Sequence, residues 1–365
     1  MLACSGNNSN ETPITPEEES LWQGIKANAS VNIALSSEYQ NAQALPISTL
    51  GWEDGLNVSE DGLYLYATYI PADFLSFVLK GDTVDQLQVY DRGPHYDMDL
   101  VQNLVGASYP WYHSDIIFSS RASLNDSFSP WSTSNMKRSV YSEGGVSTSF
   151  STDKQSIDFL AFTSNDVLDT QNNIKLLSNV SVNPSGNGSL ITTIDPAACG
   201  GSSLNSINTN CIEDNPHIQR LTANRLLLFF DSEDRTNGLG SHDIYYSISD
   251  DNASTWSTPL PVTSINTSNK EHQPHLHFDG SDWWLYFSAY HSDNKLAIFR
   301  SKQGIVDDWD SWQNAELVIS AGNTEGIGEP TLSENGDLYF VAILKNDAQD
   351  SYDKYDADPW MAKHK

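Results

Sequence analysis

The sequence predicts an all-β chain folded as a five-bladed β-propeller. Three observations carry that prediction: a two-strand motif that recurs along the chain, a third-strand signature after each copy, and termini that supply parts of one sheet. The 365 residues fit one domain of that class, with six blades as the alternative if the N-terminal strands form a blade of their own.

The clearest copy of the motif runs from Gly328 to Phe340, GEPTLSENGDLYF, a short strand, a turn at Asn335-Gly336 and an alternating apolar strand. The plan recurs as HQPHLHFDGSDWWLYF from His272, DNPHIQRLTANRLLLFF from Asp214 and DGLNVSEDGLYLY from Asp54, with a degenerate copy, VSTSFSTDKQSIDFLAF, from Val146. Third strands follow: Asp115–Ser119, Asp243–Ser247 and Leu296–Arg300 are clear, and Asn173–Leu177 is weaker. A Trp-bearing segment and a short fourth strand come next, Trp256–Val262 in one unit and Trp312–Ile319 in another. The last unit ends on a third strand at Asp358–Lys363, and its missing fourth strand is expected from Val31–Leu35 and Ala44–Ser48, which closes the ring.

Ten Trp and sixteen Tyr among many Ser, Asn, Asp and Gly suit short strands joined by polar turns. The net charge of −29 repels polyanions, so nucleic acid is excluded as a partner. No run of about 18 apolar residues is present to form a membrane span. The start, Met1-Leu2-Ala3-Cys4-Ser5-Gly6, resembles the end of a bacterial lipoprotein signal, with Cys4 as the lipidated residue and the one membrane contact. That resemblance implies the cell envelope, on a periplasmic or extracellular face and not the cytoplasm. Residues 1–29 read as this N-terminus and a flexible tether, and 30–365 as the propeller. Cys199 and Cys211 bracket a Gly-, Ser- and Asn-rich loop that a disulfide would close, in keeping with export.

The repeat resembles the WD-like propeller repeat of the Tol-system periplasmic protein and its bacterial relatives. Ser249-Asp250-Asp251-Asn252-Ala253-Ser254-Thr255-Trp256 is similar to the sialidase Asp-box, with Ala253 where that family has Gly. Both motifs turn the chain between strands and specify architecture.

In a propeller the first strands are innermost, so residues at their starts converge at one mouth of the central channel. Blade one offers Trp52, Glu53 and Asp54; blade two Glu143 and Ser147; blade three Asp214, Asn215 and His217; blade four His272, Gln273 and His275; blade five Glu325 and Glu329. Five-bladed glycoside hydrolases of the arabinanase and invertase type place an Asp base or nucleophile, a Glu acid and a tuning Asp around such a funnel. That looser resemblance makes Asp54 and Asp214 the candidate base and tuning residues and Glu325 or Glu329 the candidate acid. The Asp-Pro typical of those families is missing before Asp54.

His275 and His277 stand two apart on one strand, with Gln273 in line, as a candidate transition-metal pair; no cofactor is required by the reading. Acidic loops, Asp231, Glu233 and Asp234 in blade three and Asp347 to Asp358 in blade five, read as a solvated rim that could hold calcium. The first blade carries a long insertion at about 71–113, read as a lid over the mouth. It holds Arg92, His95 and Trp111, candidate substrate contacts beside Trp52, His217, His272 and Gln273. Two functions follow: a carbohydrate-active glycosidase or lyase with a glycan or small-molecule ligand at the mouth, or a non-catalytic propeller binding an envelope protein or glycan.

Overall fold

In a computed structural model the chain forms five antiparallel sheets arranged as a five-bladed β-propeller. The structure describes residues 15–70, 73–75, 114–136, 142–168, 171–195, 206–233, 235, 237–347 and 354–365. Blade one consists of Trp52–Val58, Tyr64–Ile70, Asp115–Ser120 and Ser132–Thr133, from inner to outer strand. Blade two has Glu143–Phe150, Ile157–Leu168, Gln171–Val180 and Ser189–Leu190; blade three has Glu213–Arg220, Leu226–Glu233, His242–Ser249 and Leu260–Pro261. Blade four has Glu271–Phe278, Trp283–Tyr290, Leu296–Lys302 and Glu316–Ser320; blade five has Gly326–Leu332, Leu338–Lys345 and Tyr355–Ala362.

The ring closes with Gln43–Ala44, which pairs with Trp360 and Met361 as the outer strand of blade five. The other N-terminal segment lands elsewhere. Within the expected Val31–Leu35, residues Asn32–Ile33 add a fifth strand to blade four, against Ile319 and Ser320. A blade has an open outer edge, and the first N-terminal stretch covers that of blade four before the second completes blade five.

The expected tether over 1–29 contains a helix, Pro16–Asn28. Thr15 caps it by accepting the Glu18 N–H at 3.2 Å, Pro16 opens its first turn, and Glu17, Glu18 and Glu19 face its positive end. Trp22 buries against Leu344 of blade five, which ties the helix to the ring. This helix is too short to cross a membrane, and no described helix is long and apolar enough to do so.

Apolar side chains meet between neighbouring blades. Phe159, Ala161 and Ile174 of blade two, for example, pack on Ile218, Leu226, Leu228 and Phe230 of blade three. Burying one such large side chain stabilises the fold by roughly 1.5–3 kcal/mol, so the seams between blades hold the ring together. Toward the axis, hydrogen bonds replace apolar packing. The inner strands of blades one, two, four and five each contribute an acceptor to the next blade around the ring. Asn57 accepts the Thr148 N–H at 3.1 Å, Ser147 the Ile218 N–H at 3.0 Å, His275 Nε2 the Leu332 N–H at 3.0 Å, and Thr331 the Val58 N–H at 3.1 Å. Away from the mouth, Lys154 of the blade-two hairpin pairs with Glu60 and Glu334, drawing three hairpins together across the axis.

Every inner strand also carries a bulge at the same place. The pairing slips between Asp54 and Asn57, Gly144 and Ser147, Asp214 and His217, His272 and His275, and Gly328 and Thr331. At each slip one residue takes the left-handed conformation: Gly55, Gly145, Asn215, Gln273 and Glu329, with φ between 48° and 59°. Gly suits that geometry and Asn tolerates it, whereas Gln273 and Glu329 hold it at a cost of about 1 kcal/mol or more each. Strain at two side chains that meet on the axis directs attention there.

Candidate functional site

The five bulges surround a cavity of about 480 Å³ at the mouth. Its asymmetry follows from the residues at the left-handed positions. Blades one and two place Gly55 and Gly145 there, with no side chain to project, while blades three, four and five send Asn215, Gln273 and Glu329 inward. The cavity therefore lies over blades one and two, walled by Thr68, Ile70, Phe74, Thr163 and Asn172. Beneath it the channel narrows to about 30 Å³ between Asn57, Ser147, His217 and His275.

Three carboxylates line this cavity, Asp54, Asp214 and Glu329, from blades one, three and five. No Lys, Arg or His lines it among the described residues. Trp52 Nε1 donates to Asp54 Oδ2 at 2.6 Å. Asp214 accepts the Asn215 N–H at 2.9 Å and Asn172 Nδ2 at 3.1 Å. Glu329 accepts the Leu56 N–H of blade one at 3.1 Å and Gln273 Nε2 at 3.0 Å, while its own N–H donates to Gln273 Oε1 at 3.0 Å. Glu329 thus links blades four and one across the axis.

Burial, with little positive charge to offset it, sets the protonation. Asp54 is pushed from 3.8 up to about 7 by burial and the Asp214 charge, against the pull of the Trp52 hydrogen bond. Glu329 rises well above the carboxylate range through burial and the charges of Asp54 and Asp214. Asp214 also rises through burial, but amide and hydroxyl donors hold its ionised form better. Such a group of acids shares protons near neutral pH, and within it one can donate while another accepts.

Other candidate residues fall away from the cavity. Glu325 precedes the inner strand of blade five and stands 4.0 Å from Lys295 at a part-exposed site. Trp52 acts behind the wall, as the donor to Asp54 and an edge contact for Phe74. His272 is half-buried beside His242, with ring centroids 6.0 Å apart, and does not line the cavity. His217 and His275 lie in the narrow channel below, their rings 4.3 Å apart, both held neutral by burial. Gln273 does line the cavity and orients Glu329. Arg92, His95, Trp111, Cys4 and Cys199 lie outside the described residues, as does most of the 71–113 insertion. Its described start holds Asp73, which accepts the N–H groups of Lys354 and Tyr355 at 2.8 and 3.0 Å.

The expected metal pair does not form a donor set. His275 gives its Nε2 to the Leu332 N–H, and His277 turns to Tyr286, 6.4 Å between centroids. Among the described residues no three His, Cys, Asp or Glu side chains could hold a metal ion together. The acidic rim also needs correction. Asp231, Asp356 and Asp358 are buried, and of that set only Asp347 among the described residues stands fully in solvent. Asp231 is a site residue that sequence reasoning missed. It pairs with Asp214 across the strands, accepts the Gln273 N–H and Asn215 Nδ2, both at 2.8 Å, and is pushed up to about 7 by burial and by Asp214. Its signal is its place directly after the apolar run Leu226–Phe230, ahead of Glu233 and Asp234.

The fold is shared with solved glycoside hydrolases. One described only as a glycoside hydrolase aligns over 96% of each chain with a TM-score of 0.54 and 11% identity. The catalytic domain of the Coprinopsis cinerea GH62 α-L-arabinofuranosidase aligns over 89% of this chain and 96% of its own, TM-score 0.51, 13% identity. The Podospora anserina α-L-arabinofuranosidase PaAbf62A, solved with cellotriose, aligns over 87% and 91%, TM-score 0.51, 8% identity. At such identities the likeness is one of fold. No family model and no curated protein matches the chain.

Proposed function

We propose that this chain is a carbohydrate-active propeller, a glycoside hydrolase whose reaction takes place in the mouth cavity. The observation that carries the reading is the convergence of Asp54, Asp214 and Glu329, from three blades, on one cavity that no cation lines among the described residues. Glycosidic cleavage needs one protonated carboxyl to reach the leaving oxygen and one ionised carboxylate on the other side of the sugar. Glu329, whose proton is held by burial and by the charges of Asp54 and Asp214, is the proton donor. Asp54 is the base or nucleophile, and Asp214, held by the Asn215 N–H, Asn172 and Thr163, is the carboxylate whose charge favours the proton on Glu329. The fold shared with arabinofuranosidases supports a glycan as substrate.

A non-catalytic glycan- or protein-binding propeller is the second reading. It is favoured by Glu329 itself, whose carboxylate also serves as a brace between Gln273 and the Leu56 N–H. We place the chain at the bacterial envelope, lipid-anchored at Cys4, with the Cys199–Cys211 loop closed in an oxidising compartment. Incorporation of labelled palmitate by the wild type and not by Cys4→Ala tests the anchor.

A panel of plant and marine polysaccharides, incubated with wild type, Glu329→Gln and Asp54→Asn, decides between the two. Release of sugar by wild type alone supports hydrolysis, and the anomeric form of the first product assigns Asp54 as nucleophile or base. Binding without release, equal in all three proteins, supports the second reading.

A further inference from the structure

The inner strands of blades one, three and four begin with the same buried device. A glutamate accepts the backbone N–H and the hydroxyl of a threonine four residues earlier: Thr49 on Glu53, Thr209 on Glu213, Thr267 on Glu271. The next residue is Asp54 in blade one, Asp214 in blade three and His272 in blade four. Only the first two line the cavity.

Those same two blades back the device with a cation, buried in blade three and part-exposed in blade one. In blade three Arg235, from the loop after the second strand, donates to Glu213 at 3.0 Å and to the Ile207 carbonyl that starts the turn. Arg235 and Glu213 are 1% and 0% exposed. Glu271 has its Thr267 bonds and no ion pair among the described residues. In blade one the cation comes from outside the ring. Lys26, near the end of the N-terminal helix, donates to the Thr49 carbonyl at 2.5 Å and reaches Asp356 and Asp358 of blade five at 2.7 Å each. Glu53 stands within its electrostatic reach.

We propose that Lys26 is a positioning residue for Asp54, filling in blade one the place that Arg235 fills behind Asp214. It fixes the turn from Thr49 to Glu53, and so the start of the strand whose next side chain enters the cavity. It also neutralises the seam where blade five meets blade one, since Glu53, Asp356 and Asp358 have no other cation near them among the described residues. The N-terminal helix is therefore part of the site's framework. This inference rests on the reading of Asp54 as a reacting carboxylate, and its test has a readout free of turnover.

That readout is the indole N–H resonance of Trp52, which donates to Asp54 at 2.6 Å; it is assigned by its loss in Trp52→Phe. In ¹⁵N-labelled Lys26→Met the resonance should move to the position of an unbonded indole, and in Lys26→Arg it should stay, since arginine serves in blade three. On a cleaved glycan, kcat of Lys26→Met should fall about tenfold or more with KM within about twofold, because misplacing a reacting group weakens the chemical step more than binding. Should Lys26→Met fail to fold, Lys26→Met/Asp356→Asn/Asp358→Asn removes the buried charges together and carries the same test. A folded variant lacking Lys26 with an unmoved Trp52 resonance overturns the proposal. A moved resonance in a protein whose wild type cleaves no glycan upholds the positioning role while the hydrolase reading fails.

Discussion

Replacing Asp54 with Asn should make the protein more stable at alkaline pH. In the folded chain the Asp54 carboxyl is raised from 3.8 to about 7, so folding favours its neutral form. Each tenfold change in proton affinity corresponds to about 1.4 kcal/mol, which puts an upper bound of about 4 kcal/mol on the destabilisation. The sign follows from proton counts. Below pH 3.8 both states hold the proton and the term is absent; between 3.8 and about 7 the folded state binds more protons, so stability falls as pH rises; above about 7 the full penalty applies. Asp54 keeps part of its surface on the cavity, and water there brings the expected gain from Asn to about 1–3 kcal/mol. The Trp52 bond survives, because the Asn side-chain oxygen still accepts. Urea unfolding of wild type and Asp54→Asn at pH 8 and pH 4 measures this: the variant should lead at pH 8 and the gap should close toward pH 4. An Asn variant equal to or weaker than wild type at pH 8 refutes the account of Asp54 as a destabilised, functionally retained acid.

Further expectations rest on single contacts. Glu329→Gln should lower kcat by about 100-fold or more on any glycan the protein cleaves and lower its thermal midpoint modestly, since a proton donor is lost and the amide oxygen can keep the bond from Gln273 only with its NH2 facing the Leu56 N–H. His275→Ala leaves the Leu332 N–H without its acceptor and should destabilise by about 1–3 kcal/mol in denaturant titration. Gly145→Val should weaken glycan binding and stability together in calorimetry, because its backbone is left-handed at φ +53° and a Cβ there would sit 3.2 Å from Asp214 Oδ1. Arg235→Met leaves Glu213 buried without its cation and should cost about 3–5 kcal/mol, recovered in large part by adding Glu213→Gln.

Blade identity was legible because each unit repeats its alternation and its hairpin turn, and those are local signals. The five bulges were not, although they left a trace: Pro216, Pro274 and Pro330 each follow a left-handed residue, and Gly55 and Gly145 occupy the matching positions in the other two blades. Proline restrains the residue before it, so the shared register of these prolines and glycines marks the bulge once the copies are aligned through it. That alignment also separates Glu329 from Glu325. The first falls on the bulge and enters the cavity, while the second precedes the strand and meets Lys295. The histidines were misread because strand alternation was run straight through the bulge, which sends His275 into the inter-blade ring instead of beside Gln273. Composition alone reads Asp231, Asp356 and Asp358 as surface acids. Their burial depends on partners distant in sequence, Gln273 and Lys26, which no local pattern reveals.

The account turns on three acids close enough in one cavity to alter each other's protonation. Carboxyl-detected ¹³C NMR of Asp54 across a pH titration tests this directly, in wild type and in Asp214→Asn. A wild-type midpoint near 7 that moves down once the Asp214 charge is gone, yet stays above 3.8 because burial persists, is the predicted result. A midpoint that Asp214→Asn leaves unmoved would show carboxyls that titrate independently, and would contradict a shared site.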